Sequence, residues 1–370
     1  MTDRPAAVFS GEDHDFMGRA LQLASHGLNT ATPNPRVGCL LVRNGVIVGE
    51  GFHARAGEPH AEIHALQYAG DAARGATAYV TLEPCNHHGR TPPCVDSLLA
   101  AGVARVVAAM EDPNPRVAGA GLRRLAAAGV AVESGLMESS ARELNLGFIS
   151  RMTRGRPWVR LKVAASLDGK TALASGQSQW ITSAASRRDA HRFRARSCAI
   201  LTGSGTVRAD NPSLTVREVH CERAPLRVVV DSQLTTPPDA RIFEGDGGVL
   251  VFHAERDAAR ETALEKAGAT LIFWPAEGRV DLEGMMRELA ARGVNELMVE
   301  GGEGLNGALL AAGLVDELLI YLAPTLLGTQ GRGMFDLPAL SSLDERVDVS
   351  IHELRRLGQD IRLLARLNNA

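Results

Sequence analysis

The sequence predicts an α/β protein built in two parts, and three observations carry that expectation. Helical and strand periodicities alternate along the chain, the mark of sheets covered by helices. The 370 residues exceed what one ordinary compact domain holds. Near residue 150 the pattern passes through the basic, Gly- and Pro-containing run MTRGRPW and turns β-rich, which sets the expected domains at 1–150 and 151–370.

In the first part, apolar positions at helical spacing over 13–26 give a helix, and the apolar runs 37–42 and 46–52 flank Asn44-Gly45 as a hairpin. There follow a helix over 60–72, a strand over 76–82, a helix over 93–101, a strand over 104–110, and helices over 122–128 and 139–150. In the second part, strands are expected at 158–165, 199–201, 226–230, 248–252, 270–274 and 296–300, closed by an antiparallel hairpin over 347–354 and 360–367. The sum is a mixed sheet covered by helices.

Composition narrows the function. Lys plus Arg number 40 against 43 Asp plus Glu, a net charge of −3 with no block of one sign, which argues against a nucleic-acid binder. The longest apolar stretch, 308–327, carries Asp316 and Glu317 in its middle, and the first residues lack a basic flank before an apolar run. Neither a membrane span nor a secretion signal is expected. Five cysteines are too few, and odd in number, for a disulfide framework, so reduced thiols and a cytoplasmic location are expected.

The strongest motif is His60-Ala61-Glu62 at a helix start, with Pro84-Cys85 at a strand end and Cys94 after Pro92-Pro93 at the next helix start. Zinc takes imidazole and thiolate ligands, and a catalytic zinc keeps three protein ligands so that water can occupy the fourth position. A carboxylate that is not a ligand then shuttles protons, and Glu62 is placed for that role. Zinc base deaminases carry His-x-Glu followed by Pro-Cys-x-x-Cys, from which this chain departs with eight residues between its cysteines. A structural zinc would need a fourth ligand from His53, His64, His87 or His88, and the metalloprotease order His-Glu-x-x-His is absent. Cys39, in an apolar strand, reads as core.

Two Gly-rich turns follow predicted strands, Gly203-Ser204-Gly205-Thr206 and Gly301-Gly302-Glu303-Gly304-Leu305-Asn306-Gly307. Strand, Gly-rich turn and helix start make a phosphate cradle, because backbone N–H groups can approach an anion there. Gly302, Gly304 and Gly307 satisfy G-x-G-x-x-G, but no acidic residue is convincingly placed about 20 positions on, so a Rossmann domain is not predicted. Without further context, Asn34, Asp112 and Asp210-Asn211-Pro212 read as turns and Arg194 as a solvated helix residue.

These motifs together resemble one family. TPNPRVG at 32–38, His60-Ala61-Glu62, PCNHHGRTPPC at 84–94 and EDPNP at 111–115, then LKVAASLDGKTALASGQSQWITS at 161–183 and TVRADNPSLTVR at 206–217, resemble the riboflavin-biosynthesis bifunctional deaminase/reductases in order over essentially the whole chain. The resemblance implies a cytidine-deaminase-like α/β/α sandwich followed by a dihydrofolate-reductase-like α/β domain. It implies one zinc per chain on His60, Cys85 and Cys94, with Glu62 as proton shuttle, and Asn34, His53, Arg90 and Asp112 holding a pyrimidine ribotide. Arg90 stands where some relatives carry Lys, which keeps the charge but changes the fork geometry. In the second domain it implies NADPH on Ala164, Trp180, Thr206, Asp210 and the stretch Gly302, Glu303, Gly304, Leu305, Asn306, Gly307 and Ala308. Substrate would meet Lys162, Ser178, Arg194, Leu214, Arg217 and Glu300. Arg194 and Arg217 would grip a phosphate, and Lys162 and Asp210 would manage the proton that accompanies hydride transfer. The implied reaction removes the 2-amino group of the diaminopyrimidine ribotide and then reduces its ribosyl chain to ribityl. The expected partners are small molecules, with no nucleic acid or membrane, and the expected assembly is a homo-oligomer.

Overall fold

The computed structural model describes residues 9–86, 92–115 and 117–368. The chain divides into two compact units after Gly155. The expected boundary at 150 falls inside a helix that runs to Arg154, where Gly155 in the left-handed region (φ 66°) ends it.

The first unit runs α1 (Gly11–Ser25), β1 (Gly38–Arg43), β2 (Val46–Phe52), α2 (Ala61–Ala69), β3 (Thr77–Val80), α3 (Cys94–Ala101), β4 (Arg105–Ala108), α4 (Ala120–Ala127), β5 (Ala131–Ser134), α5 (Glu138–Leu144) and α6 (Leu146–Arg154). A capping box starts α1: Asp13 N–H donates to Ser10 Oγ (3.1 Å) and Ser10 N–H to Asp13 Oδ2 (2.9 Å). The sheet order is β2-β1-β3-β4-β5, with β1 antiparallel to both neighbours and β3, β4 and β5 parallel. Because strand side chains alternate, Leu40 and Val42 pack with α1, α5 and α6, while Cys39 and Leu41 pack with α2, α3 and α4. The result is a three-layer α/β/α sandwich. The single helix expected over 139–150 is two helices broken at Asn145. That side chain satisfies a neighbouring backbone instead, accepting from Arg36 N–H (2.8 Å) and donating to Arg36 O (3.0 Å).

The second unit runs β6 (Trp158–Ser166), α7 (Ala184–Arg196), β7 (Ala199–Gly203), α8 (Ser204–Asp210), β8 (Leu226–Val230), β9 (Val249–His253), α9 (Ala258–Lys266), β10 (Ala269–Phe273), the short hairpin β11 (Pro275–Ala276) and β12 (Arg279–Val280), α10 (Leu282–Ala291), β13 (Glu296–Val299), α11 (Glu303–Ala311), β14 (Glu317–Ala323), β15 (Val349–Leu357) and β16 (Asp360–Leu367). Nine strands form one sheet in the order β10-β9-β8-β7-β13-β6-β14-β16-β15. It is parallel from β10 to β14, and the closing hairpin adds two antiparallel strands. One face packs against α10 and α11, and the other against α7, α8 and α9. β14 went unrecognised in the sequence because nearly all its residues are buried, leaving a continuous apolar run without alternation.

Two features of this frame place the sites. In the first unit, Gly49 and Gly51 let α2 lie directly on β2: a Cβ on Gly49 would run into the Ala65 carbonyl, and one on Gly51 would stand 2.6 Å from that of Ala61. In the second, β7 leads to β8 on one side while its neighbour β13 leads through α11 to β14 on the other. The connections that leave these two parallel strands therefore run to opposite sides, which places a crevice at the strands' carboxyl ends.

Gly49→Ala should push α2 off the sheet and destabilise the first unit by about 1–3 kcal/mol. All 3 tryptophans, Trp158, Trp180 and Trp274, belong to the second unit, so the expected signature is an earlier circular-dichroism transition with an unchanged tryptophan-fluorescence transition.

Candidate active sites

In the first unit, His60 is the N-cap of α2 and Cys94 the first residue of α3, while Cys85 follows the end of β3. Their ligand atoms all lie within 4.8 Å of one another. His60 Nδ1 is 3.2 Å from Cys94 Sγ and 3.5 Å from Cys85 Sγ, and Cys94 N–H points at Cys85 Sγ at 3.3 Å. The thiol–thiol hydrogen bond splits the two cysteines, lowering the Cys85 pKa and raising that of Cys94. The contact with Cys85 raises His60 against the effect of burial. Glu62, in the first turn of α2, is 3% exposed, and burial followed by the Cys85 charge pushes its pKa up to about 7.

His60, Cys85 and Glu62 open into a cavity of about 580 Å³ lined also by Asn34, His53, Glu83, Asp112, Phe148 and Arg151. His53 is buried: its Nδ1 donates to Pro59 O (3.1 Å), which leaves Nε2 to accept from Asn34 Nδ2 (3.0 Å). Burial lowers the His53 pKa, in keeping with a neutral ring that holds the Asn34 amide in place. Thus Asn34, His53, Glu62 and Asp112 reach one cavity with His60 and Cys85, whereas Arg90 lies outside the described residues. His87 and His88 lie outside them too. Cys39 is core, fully buried in β1. Glu83, Asn114, Phe148, Arg151 and Met152 also line the cavity and were not anticipated. Phe148 and Met152 resemble ordinary core residues of an amphipathic helix, so no local signal distinguishes them.

In the second unit the expected residues fall into groups. Glu300, just past β13, receives Arg194 of α7 through Nε (2.5 Å) and Nη2 (2.9 Å), and Lys162 of β6 stands 3.7 Å away. Against its burial, Arg194 and Lys162 hold the Glu300 pKa down to about 2. Arg194 also donates to Thr215 O (2.9 Å), and its side chain is only 13% exposed, so it is not the solvated helix residue that its local sequence suggests. Ser178 donates to Asp210 at 3.4 Å. Arg217 is exposed, braced by Ser213 Oγ (2.7 Å) and Thr215 Oγ1 (3.2 Å), and its N–H donates to His191 Nδ1 (3.0 Å). His191 went unanticipated; burial, then Arg194 and Arg217, depress its pKa to about 4. Leu214 is buried, with φ 48°.

The two Gly-rich turns meet in the crevice, since a Cβ on Gly302 would stand 3.8 Å from Thr206 Oγ1. Glu303 to Ala308 form the first turns of α11, Ala164 lies on β6, and Trp180 is 70% exposed with the Arg187 guanidinium 4.5 Å from its ring centroid. The Asn306 Oδ1 is buried without a hydrogen-bond partner, and a Cβ on Gly307 would strike the backbone of Asp336.

A three-donor His/Cys/Cys centre beside a buried carboxylate, followed by a parallel-sheet crevice with Gly-rich turns, defines a two-domain zinc deaminase joined to a reductase. Residues 10–110 match the family model of the cytidine and deoxycytidylate deaminase zinc-binding region, and 157–363 match that of the RibD C-terminal domain. The chain is 51% identical to the riboflavin biosynthesis protein RibD of Escherichia coli K12 over 95% of its own length and 98% of the relative's. It is 49% identical to that of Haemophilus influenzae over 96% and 97%. A solved RibD of Acinetobacter baumannii superposes with a TM-score of 0.90 at 42% identity, covering 96% of this chain and 99% of the other. A diaminohydroxyphosphoribosylaminopyrimidine deaminase/5-amino-6-(5-phosphoribosylamino)uracil reductase of Thermotoga maritima gives 0.86 at 34% identity, with coverages of 96% and 99%. The chain belongs to the RibD family of bifunctional deaminase/reductases of riboflavin biosynthesis. Among the described residues no helix is long and apolar enough to cross a membrane.

Because the folded Glu300 pKa is depressed below its ordinary value of about 4.3, its ionised form stabilises the second unit fully above that pH and loses this effect as pH falls toward about 2. The stability difference between wild type and Glu300→Gln, read by tryptophan fluorescence in urea, should be flat from pH 8 to about 5 and shrink below about 4.3.

Proposed function

We propose that the first unit, with one zinc held by His60, Cys85 and Cys94, hydrolytically deaminates 2,5-diamino-6-ribosylamino-4(3H)-pyrimidinone 5′-phosphate. The second unit then uses NADPH to reduce the ribosyl chain, giving 5-amino-6-(ribitylamino)uracil 5′-phosphate. One observation carries the reading: an imidazole and two thiols converge at the wall of a cavity that also holds the buried carboxylate of Glu62. The donor set fits zinc, and three ligands among the described residues suit catalysis rather than a closed structural site. Zinc, when bound, makes water nucleophilic near neutral pH. Glu62, buried and with a raised pKa, takes the proton of the attacking water and passes it to the departing amine. Asn34, fixed by His53, and Asp112 hold the pyrimidine, with Arg90 carried by resemblance alone.

The crevice of the second unit fits a dinucleotide phosphate: two Gly-rich turns face each other, and the orphaned Asn306 Oδ1 beside them can take a donor. The nicotinamide, when bound, supplies hydride. Lys162, held by Glu300, delivers the accompanying proton with Asp210; Arg217 takes the phosphate, while Arg194 serves it indirectly because its fork is engaged by Glu300. The enzyme works in the cytoplasm as a homo-oligomer. Val349, Ile351 and Leu354 on the edge strand β15 are 41%, 65% and 62% exposed, a surface suited to a second copy.

Cys85→Ser and Cys94→Ser should abolish zinc and deamination together, whereas Glu62→Gln should retain one zinc by elemental analysis and lose roughly 10²-fold to 10⁴-fold in ammonia release. Zinc retained in both cysteine variants would refute the site. Separately, Lys162→Ala and Asp210→Asn should suppress NADPH oxidation with the deaminated ribotide and spare ammonia release from the diamino compound. Parallel loss of both activities in folded protein would argue against two sites.

A further inference from the structure

Glu83 is a cavity-lining carboxylate, 3% exposed, that the deamination chemistry leaves without a role. It sits two positions before Cys85, and among the described residues its side chain bonds to backbone N–H groups. Oε2 accepts from Asp112 (3.0 Å) and Gly119 (2.8 Å), and Oε1 from Gly121 (2.7 Å) and Leu122 (3.3 Å). Four N–H donors face the two oxygens, so an amide in this place would turn an NH₂ against an N–H.

The surroundings are shaped to admit it. Gly119 has φ 78°, which turns its N–H toward the carboxylate, and a Cβ on Gly121 would meet the Pro84 carbonyl and stand 3.2 Å from Glu83 Oε1. The last two donors open α4, where a negative charge is favoured. The Glu83 N–H in turn donates to Met110 O (3.0 Å), so the strand end before Cys85 and the one before Asp112 are tied twice. Asp112 accepts from Asn114 N–H (2.8 Å) and lines the cavity, and its backbone N–H is one of the four that Glu83 holds.

We propose that Glu83 is the positioning residue for Asp112: its carboxylate sets the register between the Cys85 segment and the Asp112 segment, and so tunes pyrimidine binding rather than the chemical step. This rests on the deaminase reading and on the substrate role given to Asp112. Steady-state deamination of the ribotide by the full-length, zinc-loaded enzyme tests it, with Glu83→Gln, Glu83→Asp, Asp112→Ala and the double variant Glu83→Gln/Asp112→Ala. Glu83→Gln should raise KM about tenfold, as losing one charge-assisted bond implies, with kcat within about threefold. Zinc should stay at one per chain, and NADPH oxidation with the deaminated ribotide should not change. Glu83→Asp, which keeps the charge on a shorter arm, should fall between. In the Asp112→Ala background the Glu83→Gln change should raise KM no further, an outcome a merely structural role would not give. Additive effects in the double variant, an unchanged KM in Glu83→Gln, or zinc lost from both Glu83 variants would each overturn the proposal. An unchanged KM in Asp112→Ala alone would instead sink the substrate role of Asp112 and take this proposal with it.

Discussion

Backbone-to-backbone approach of α2 onto β2 is the constraint on which the deaminase site depends. With no Cβ at Gly49 or Gly51, the start of α2 is drawn down to the sheet, and His60 and Glu62 arrive at the carboxyl end of β3 where Cys85 waits. A larger residue would shift the helix by a few tenths of an ångström or more. Ligand atoms that must share a sphere of about 2.0–2.3 Å around a metal tolerate little of that. Packing, in this unit, is therefore a condition of chemistry: the same burial that stabilises α2 also strips water from Glu62 and raises its proton affinity.

The second unit solves a different electrostatic problem. Its site is organised by a nearly buried carboxylate, Glu300, compensated by Arg194 and Lys162 from two other elements. Taking such charges out of water costs several kcal/mol per ion, and the cost is offset only when the geometry and the remaining hydrogen bonds are good. Here the Arg194 fork is bidentate to Glu300 and its last arm goes to Thr215 O. The arrangement fixes where Lys162 can reach. A second buried set, Arg160 between Glu296 and Glu317, repeats the device at the opposite ends of β6, β13 and β14. The sheet is thus pinned by ion pairs as well as by its apolar faces.

What the sequence made legible follows from how local each signal is. Hairpin chemistry at Asn44-Gly45 is local, and both residues take positive φ, 51° and 75°. The cluster of His60, Cys85 and Cys94 was legible because each residue sits at a helix start or strand end marked by Pro. Glu83, Arg194 and His191 were not legible as they now stand, for one reason: their roles are written in partners far along the chain. Glu83 bonds to residues about thirty to forty positions away, and Arg194 to Glu300 across the sheet. β14 was missed because burial on both faces erases period two, and the break at Asn145 because it depends on Arg36, 109 residues earlier. The boundary near 150 had the same weakness: basic residues in the last turn of α6 resemble a linker until the helix is seen to carry them.

The division of labour between two units has a physical rationale in these contrasts. Hydrolytic deamination consumes water, so its site must admit it, and the cavity around His60, Cys85 and Glu62 is wide and lined by polar groups as well as by Phe148 and Met152. Hydride transfer gains when water is excluded, because desolvation strengthens every interaction at the reacting centre. The second crevice uses Gly-rich turns for close backbone approach and a compensated ion cluster of Glu300, Arg194 and Lys162. The first site holds a carboxyl group whose pKa is raised toward neutrality, and the second one whose pKa is lowered. Glu62 is buried and Glu300 nearly so, and their pKa values, about 7 and about 2, are driven apart by what surrounds them. No single pocket could give one carboxyl group both settings, and two separately packed units provide them within one chain.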